Sequence, residues 1–276
     1  MVKGGSSGIG RATTQLCLDL GAKVVVGDLN PPQPAFEEND RLKFLEVNVT
    51  EWESLRNMFI QANNWFGRID HVFANAGVSP TTDFLGVTLD ENNQLKAPNL
   101  RTINVNLLGP LYTVNLAAAY MTKLASKRPI QGMGSIVLSA SASSFQDFSA
   151  GDYTVAKHAV LGIIRGLGIQ MEGNIRLNAV APSWTATAIV PFDFIESIGV
   201  KVQSAEAVAR SVVLLFADKQ RHGEVIYSWD GLYREVNKAD GGLLSMAEKL
   251  LDNSHNEESV MRKLREQAIL LETGKT

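Results

Sequence analysis

The sequence predicts the α/β class from three observations. A glycine-rich stretch, Gly4-Gly5-Ser6-Ser7-Gly8-Ile9-Gly10, runs directly into a helical pattern. Short apolar runs of strand length alternate with helical patterns along most of the chain. The 276 residues, 45% hydrophobic and 20% charged, suit one large α/β domain or two small ones.

Bulk properties narrow the class of function. Formal net charge is −3 with dispersed basic residues, so no nucleic-acid footprint is expected. Cys17 is the single cysteine, which excludes an intramolecular disulfide and fits a reducing compartment. It reads as a small buried hydrophobe on the first helix. The four histidines show no ligand spacing, so no metal is expected. No apolar run approaches the roughly 18 residues of a membrane span, and Met1-Val2-Lys3-Gly4-Gly5 is no signal peptide. The expectation is a cytoplasmic protein with a small-molecule partner, neither membrane-bound nor attached to nucleic acid.

The elements follow in order. The helix after the glycine loop carries Ala12, Leu16, Leu18 and Leu20 and closes at Gly21. Glycines there let the backbone turn tightly and approach a pyrophosphate, which the amides at the helix start stabilise. The next strand, Lys23 to Gly27, ends in Asp28, roughly 20 residues beyond the loop, where a dinucleotide site needs a carboxylate for ribose hydroxyls. Pro31-Pro32-Gln33-Pro34 punctuates the following loop, and a third strand is expected from Leu42 to Val49. A helix over Glu51–Phe66 sets Trp52, Leu55, Met58, Phe59 and Ala62 on one packed side. Ile69 to Ala74 reads as a buried strand before Asn75-Ala76-Gly77. Val78 to Asn99 reads as a long surface loop, and Leu100 to Lys127 as a long helix.

Gly134 to Ser141 forms a fifth strand that delivers serines at its C-terminal end, where open α/β sheets bind ligands. Tyr153 and Lys157 share a helix face at i, i+4, so an ammonium can sit near a phenol and lower its pKa towards the range of a general acid/base. A sixth strand spans Ile175 to Ala181, a helix Ala205 to Ala217, and a final strand Glu224 to Ser228. Phe145, Phe148, Trp184, Phe192 and Phe194 cluster in sequence near the expected pocket mouth and point to an apolar or aromatic substrate. Beyond Gly241, Leu243, Leu244, Ala247, Leu250 and Leu251 make an amphipathic helix. The capping box Ser254-His255-Asn256-Glu257 starts another bearing Val260, Met261, Leu264, Ala268 and Leu271. The expected division is a main domain over 1–240 and a helical tail over 241–276.

With Gly4, Gly8 and Gly10, Asn75-Ala76-Gly77, Ser141, Tyr153-x-x-x-Lys157 and Pro182 in this order, the chain resembles the short-chain dehydrogenase/reductase family over roughly residues 3 to 235. Within it the chain is most similar to fungal-type members near the hydroxyprostaglandin-dehydrogenase-like branch. The resemblance implies a doubly wound Rossmann-type parallel sheet with helices on both faces, assembled as a homodimer or homotetramer. It implies an oxidoreductase acting on a secondary alcohol or ketone. Tyr153 would be the acid/base, Ser141 would position the substrate oxygen, Lys157 would bond the nicotinamide ribose, and Asn106 would hold a relay water. Ser139 rivals Ser141 for that role. The cofactor would lie along Gly4, Ser6, Ser7, Gly8, Ile9, Gly10, Asp28, Asn48, Val49, Asn75, Ala76, Gly77, Tyr153, Lys157, Pro182 and Thr187. Asp28 would repel a 2′-phosphate and Ser7 offers no cation, so NAD is expected ahead of NADP.

The chain also departs from the family pattern. Lys3 replaces a threonine, Ala74 and Asn48 replace an asparagine and an aspartate, and Ser183 replaces a glycine whose position strains the turn if it needs positive φ. The strand before the glycine loop is reduced to Val2 and Lys3. Some four missing aliphatics, at roughly 1.5–3 kcal/mol each, rival the roughly 5–15 kcal/mol of a whole domain. A shortened gene product or a compromised enzyme is therefore expected. The rival class is an idle or non-redox relative that uses the pocket for binding or cyclisation. Retention of Ser141, Tyr153 and Lys157 favours the enzyme.

Overall fold

The β-branched run Val24-Val25-Val26 has no polar position to turn to solvent, so it is stable only with both faces covered. In the computed structural model it lies inside an eight-stranded sheet of order β3-β2-β1-β4-β5-β6-β7-β8. The structure describes residues 1–36, 40–81, 83–122, 124, 134–171, 173, 175–187, 192–250, 259–264, 266 and 267, with the backbone alone at 192–194. The strands are β1 (Val2–Lys3), β2 (Val24–Asp28), β3 (Leu42–Glu46), β4 (His71–Ala74), β5 (Gly134–Ser139), β6 (Ile175–Pro182), β7 (Val225–Trp229) and β8 (Leu232–Glu235). Every pairing from β3 across to β7 is parallel. Short though it is, β1 pairs on both sides, Val2 facing Val26 of β2 and Phe73 of β4.

Helices cover both faces. α1 (Gly8–Asp19) and α7 (Ala205–Ala217) pack together on one side, where Ile9, Leu18, Val208, Val212 and Leu215 meet Val2, Val24, Val26, Phe73, Val137 and Val180. α2 (Trp52–Phe66), α4 (Gly109–Met121) and α5 (Gly151–Met171) lie on the other. Leu55, Met58, Phe59 and Ala62 of α2 are buried as expected. Trp52, the first residue of α2, is not: it is 36% exposed and its ring meets that of Tyr112 edge-on at 5.3 Å. The long helix before β5 is interrupted. α3 (Arg101–Ile103) leads into a π-helical turn, Asn104–Leu108, before α4. A short helix α6 (Phe192–Ser197) follows β6.

Two features were not anticipated. Arg176 of β6 is fully buried and donates to the carbonyls of Leu215, Phe216 and Asp218 at 2.6, 2.7 and 2.8 Å, satisfying acceptors left open at the end of α7. β7 is also not the last strand. Asp230 and Gly231, both at positive φ, make the two-residue turn that returns the chain as β8.

The chain divides into two units, Met1–Arg234 and Glu235–Thr276. In the second, Glu235 accepts backbone N–H groups from Asn237 and Lys238 at 2.8 Å, and α8 (Leu243–Leu250) follows with no buried residue. Val260, Met261 and Leu264 lie on a further helical stretch, 259–264, and are exposed. The expected capping box at 254–257, with Leu251, Ala268 and Leu271, lies outside the described residues. Among the described residues no helix is long and apolar enough to cross a membrane, and no group of three His, Cys, Asp or Glu is placed to hold a metal.

Candidate active site

In this sheet the order of strand addition reverses between β1 and β4, and a crevice opens above the C-terminal ends of those parallel strands. The glycine loop fills its floor. Gly4 has φ +67°, and a Cβ there would stand 2.8 Å from Ala76 Cα. A Cβ on Gly10 would meet the Gly4 carbonyl oxygen at 1.9 Å, so the loop and α1 approach as closely as bare backbone permits. A Cβ on Gly8 would lie 2.9 Å from the Thr187 methyl group. The segments after β1, β4 and β6 thus converge, and the Asn75 amide donates to the Gly4 carbonyl at 3.1 Å, tying two strand ends together.

Asp28 closes the loop from the side. Its carboxylate accepts the Ser6 N–H at 3.1 Å and the Asn30 N–H at 3.4 Å, while the Ser6 hydroxyl donates to the Asn30 carbonyl at 2.7 Å. Ser7 is the extended residue before α1 and makes no side-chain cap, so the first amides of a twelve-residue helix face the crevice without a hydroxyl over them. That arrangement fits a pyrophosphate. Ile9 contributes backbone only, because its side chain is buried in the core. Asn48 is largely engaged in its own turn: its carbonyl accepts from the Thr50 N–H and hydroxyl, and its amide donates to Glu51 at 2.8 Å. One amide hydrogen is left over. Val49 packs against Gly109, and Gly77 lies 3.3 Å, measured from an added Cβ, from the Asn106 amide oxygen. Ser183 avoids the feared strain. It is absent from the positive-φ positions and donates its N–H to the Ser228 carbonyl at 2.8 Å, extending the β6–β7 pairing past Pro182.

The catalytic candidates meet at the opposite wall. Ser141 lies beyond the end of β5 rather than on it, as the extended N-cap of a short 3₁₀ turn, Ala142–Ser144, where its hydroxyl accepts the Ser143 N–H at 3.2 Å. The same hydroxyl is hydrogen-bonded to the Tyr153 phenol. Ser139 takes a different part, its carbonyl accepting from Lys157 Nζ at 2.6 Å. The structure therefore brings Ser141 and not Ser139 to the phenol. Lys157 is buried and lies 5.4 Å from the Tyr153 ring centroid.

The electrostatics correct one expectation. Burial raises the pKa of Tyr153, and the hydrogen bond from Ser141 offsets this only in part. Lys157 does not reverse the shift, because burial lowers its own pKa to about 8. Asn106 is buried inside the π-helical turn, which rotates its amide onto Val78: it donates to the Val78 carbonyl and accepts the Val78 N–H, each at 2.9 Å.

Aromatic side chains gather beside the serine turn. Phe148 and Trp184 lie 5.6 Å apart, while Phe145 meets Tyr227 edge-on at 5.5 Å and Tyr227 stacks on Trp229 at 5.7 Å. Tyr227 and Trp229 were missed. Their signal was the Asp230-Gly231 turn, which extends β7 to Trp229 and folds β8 beside it. The side chains of Phe192 and Phe194 lie outside the described residues.

Known proteins resemble this chain in sequence and fold. A family model described as enoyl-(acyl carrier protein) reductase matches residues 4–227. Short-chain dehydrogenase/reductase ascJ of Acremonium egyptiacum is 42% identical over 255 residues, covering 91% of this chain and 84% of that protein. The chain belongs to the short-chain dehydrogenase/reductase family. Another member, short-chain dehydrogenase/reductase prx4 of Penicillium rubens, is 34% identical over 247 residues, 87% of this chain and 71% of that one. The crystal structure of levodione reductase superposes with a TM-score of 0.67 at 23% identity, over 82% of this chain and 93% of that one, and so shares the fold. As a short-chain dehydrogenase/reductase the chain is an oxidoreductase of a family that uses nicotinamide cofactors.

Proposed function

We propose that the chain transfers a hydride between NAD and a secondary alcohol or ketone on an apolar or aromatic small molecule. The observation that carries this is the meeting of Ser141 and Tyr153 by hydrogen bond, with the Lys157 ammonium beside the same ring. When bound, a nicotinamide dinucleotide supplies the hydride donor or acceptor. Tyr153 gives its phenolic proton to a carbonyl oxygen in reduction, or takes the hydroxyl proton in oxidation. Ser141 fixes the reacting oxygen against that phenol. Lys157, held by the Ser139 carbonyl, stabilises the phenolate through its positive charge. Asn106, locked on Val78, lines the route by which water returns the proton.

The glycine cradle supports a dinucleotide, since Gly4, Gly8 and Gly10 leave room that any Cβ would fill. Thr187 over Gly8 would close on the nicotinamide end, with Pro182 below it. Asp28 beside Ser6 supports NAD over NADP by repelling a 2′-phosphate. The aromatic cluster of Phe148, Trp184, Phe145 and Tyr227 supports the apolar or aromatic substrate. Assembly as a homodimer or homotetramer belongs to the same proposal, supported by exposed Leu111 of α4 with Val155 and Ile169 of α5.

Titration with NADH and NADPH, read by nicotinamide fluorescence, tests this directly. Saturable binding of NADH in preference to NADPH is expected. Tighter binding of NADPH would overturn the role of Asp28, and binding of neither would overturn the hydride-transfer assignment.

A further inference from the structure

Consecutive residues of a strand send their side chains to opposite faces of the sheet. Val2 joins the core cluster on the side of α1 and α7. Lys3, whose backbone lies in register between Gly27 and Ala74, is thereby committed to the layer of α2 and α4. There its Nζ lies 4.8 Å from the centroid of the Phe59 ring, and its side chain lines a small cavity of about 170 Å³. One wall of that cavity is a face of α4, Gly109, Pro110 and Thr113, and the other is aliphatic, with Val49 and Ala74. Of the residues that line it, Lys3 alone is charged, and Thr113 alone brings a second polar side chain. Both are 1% exposed, and neither Lys3 Nζ nor Thr113 Oγ1 has a hydrogen-bond partner among the described residues.

Two buried polar groups that share one cavity and lack partners specify what would satisfy them. An ammonium has three N–H groups and no acceptor, and the threonine adds one O–H, so the fitting occupant is an acceptor. Burial pushes the Lys3 pKa well below the ordinary lysine value, and no carboxylate in the cavity resists that shift. An occupant carrying negative charge would supply the missing partner. Size narrows the choice further. The space admits one particle close to water in size, which excludes phosphate and carboxylates. A halide meets each condition: it is a single atom, it only accepts, and its weak hydration suits aliphatic walls. Water fits the space but leaves the ammonium without a counter-charge. The chain as a whole carries a formal charge of −3, so a general excess of positive charge does not draw anions to it.

We propose that this cavity binds one chloride ion between the Lys3 ammonium and the Thr113 hydroxyl. Where burial has left Lys3 neutral, chloride binds together with a proton, and the two charges are buried as a pair. The site needs neither Ser141, Tyr153 nor Lys157, and its test needs neither cofactor nor substrate, so it stands or falls apart from hydride transfer.

The full chain is unfolded with urea at about pH 7 in sodium gluconate, with sodium chloride substituted stepwise at constant ionic strength. Chloride is expected to raise the folding constant saturably, by about tenfold when its concentration is about nine times Kd. Bromide should act alike, whereas sulfate, which is too large, should give no saturable rise. Lys3→Met should be indifferent to chloride. Thr113→Val should need more chloride for the same rise, and Thr113→Ser, which keeps the hydroxyl, should respond as the wild type does. Crystals soaked in sodium bromide should show an anomalous peak between Lys3 Nζ and Thr113 Oγ1. No chloride-dependent rise in the wild type, or an equal rise in Lys3→Met, would overturn the site, as would an ordinary water without anomalous signal at that position. Should Lys3→Met fail to fold, the two Thr113 variants and the bromide peak decide.

Discussion

Asp152 accepts two hydrogen bonds from Thr81, from its backbone N–H at 3.0 Å and from its hydroxyl at 2.7 Å, across 71 residues of sequence. The buried carboxylate next to Tyr153 thereby fastens the loop after β4 to the first turn of α5. Thr102 joins the same cluster through its hydroxyl.

Asp152→Asn should therefore loosen the Tyr153 wall without touching the phenol. Hydrogen bonds to a charged partner contribute about 1.5–3 kcal/mol, and the loss should appear in stability and in kcat together. The Thr81 bonds hold the Asp152 pKa below the usual carboxylate range. Its contribution is thus present above the unfolded pKa of about 3.9 and is lost as pH falls through the depressed folded value. Urea melts from pH 7 to pH 3 check this: the wild type should lose its advantage over the variant on acidification, and a constant difference would refute it.

Tyr153→Phe should lower turnover by roughly 10²–10⁴, the usual contribution of a positioned acid/base, and leave NADH binding intact. Lys157 titrates at about 8, so ketone reduction should decline as pH rises through that value and the ammonium beside the ring is lost. A pH–rate profile flat from 7 to 9.5 would remove Lys157 from the proposed mechanism.

Gly10→Ala and Gly67→Ala form a discriminating pair. A Cβ at Gly10 collides with backbone at 1.9 Å, so the loop must open and NADH binding should be lost. A Cβ at Gly67 meets nothing within 4 Å, so the cost is only the left-handed φ of +79°, about 1–2 kcal/mol. Fluorescence titration should find binding spared in the second variant; loss in both would mean that the loop geometry is not what binds.

Lys3 is buried, its Nζ has no hydrogen-bond partner, and it lies 4.8 Å over the Phe59 ring. Burial holds its pKa well below the ordinary lysine value. Between that depressed value and about 10.4 the unfolded chain binds a proton that the folded chain does not, so stability rises with pH across this window. Lys3→Met should stabilise the protein at pH 7 by roughly 1–4 kcal/mol, an advantage that shrinks towards pH 10. Chemical denaturation at both pH values checks the trend.

Arg176→Met should destabilise by roughly 3 kcal/mol or more, because the carbonyls of Leu215 and Phe216 lose a charged donor at the end of α7. An unchanged thermal midpoint would show that water satisfies those carbonyls equally well.

The features legible in the sequence are those fixed by local geometry. Gly4 and Gly10 are needed because backbone passes against backbone within one turn, and Tyr153 and Lys157 share a face by helical spacing alone. The Asp230-Gly231 turn was equally local and passed unread, and with it β8, Tyr227 and Trp229. Trp52 was misplaced because periodicity reports which face an apolar residue shares, not how far the tertiary packing covers it at the helix end.

By itself the sequence determined the family, through motifs in order along the chain, and the glycine cradle and the Tyr153–Lys157 pair, which rest on spacing within a few residues. Only the tertiary structure decided that Ser141 and not Ser139 meets the phenol, that burial raises the tyrosine pKa, and that Asp152 clamps Thr81. Those outcomes depend on desolvation and on partners many residues apart, quantities that exist only once the sheet and its helices have closed around them.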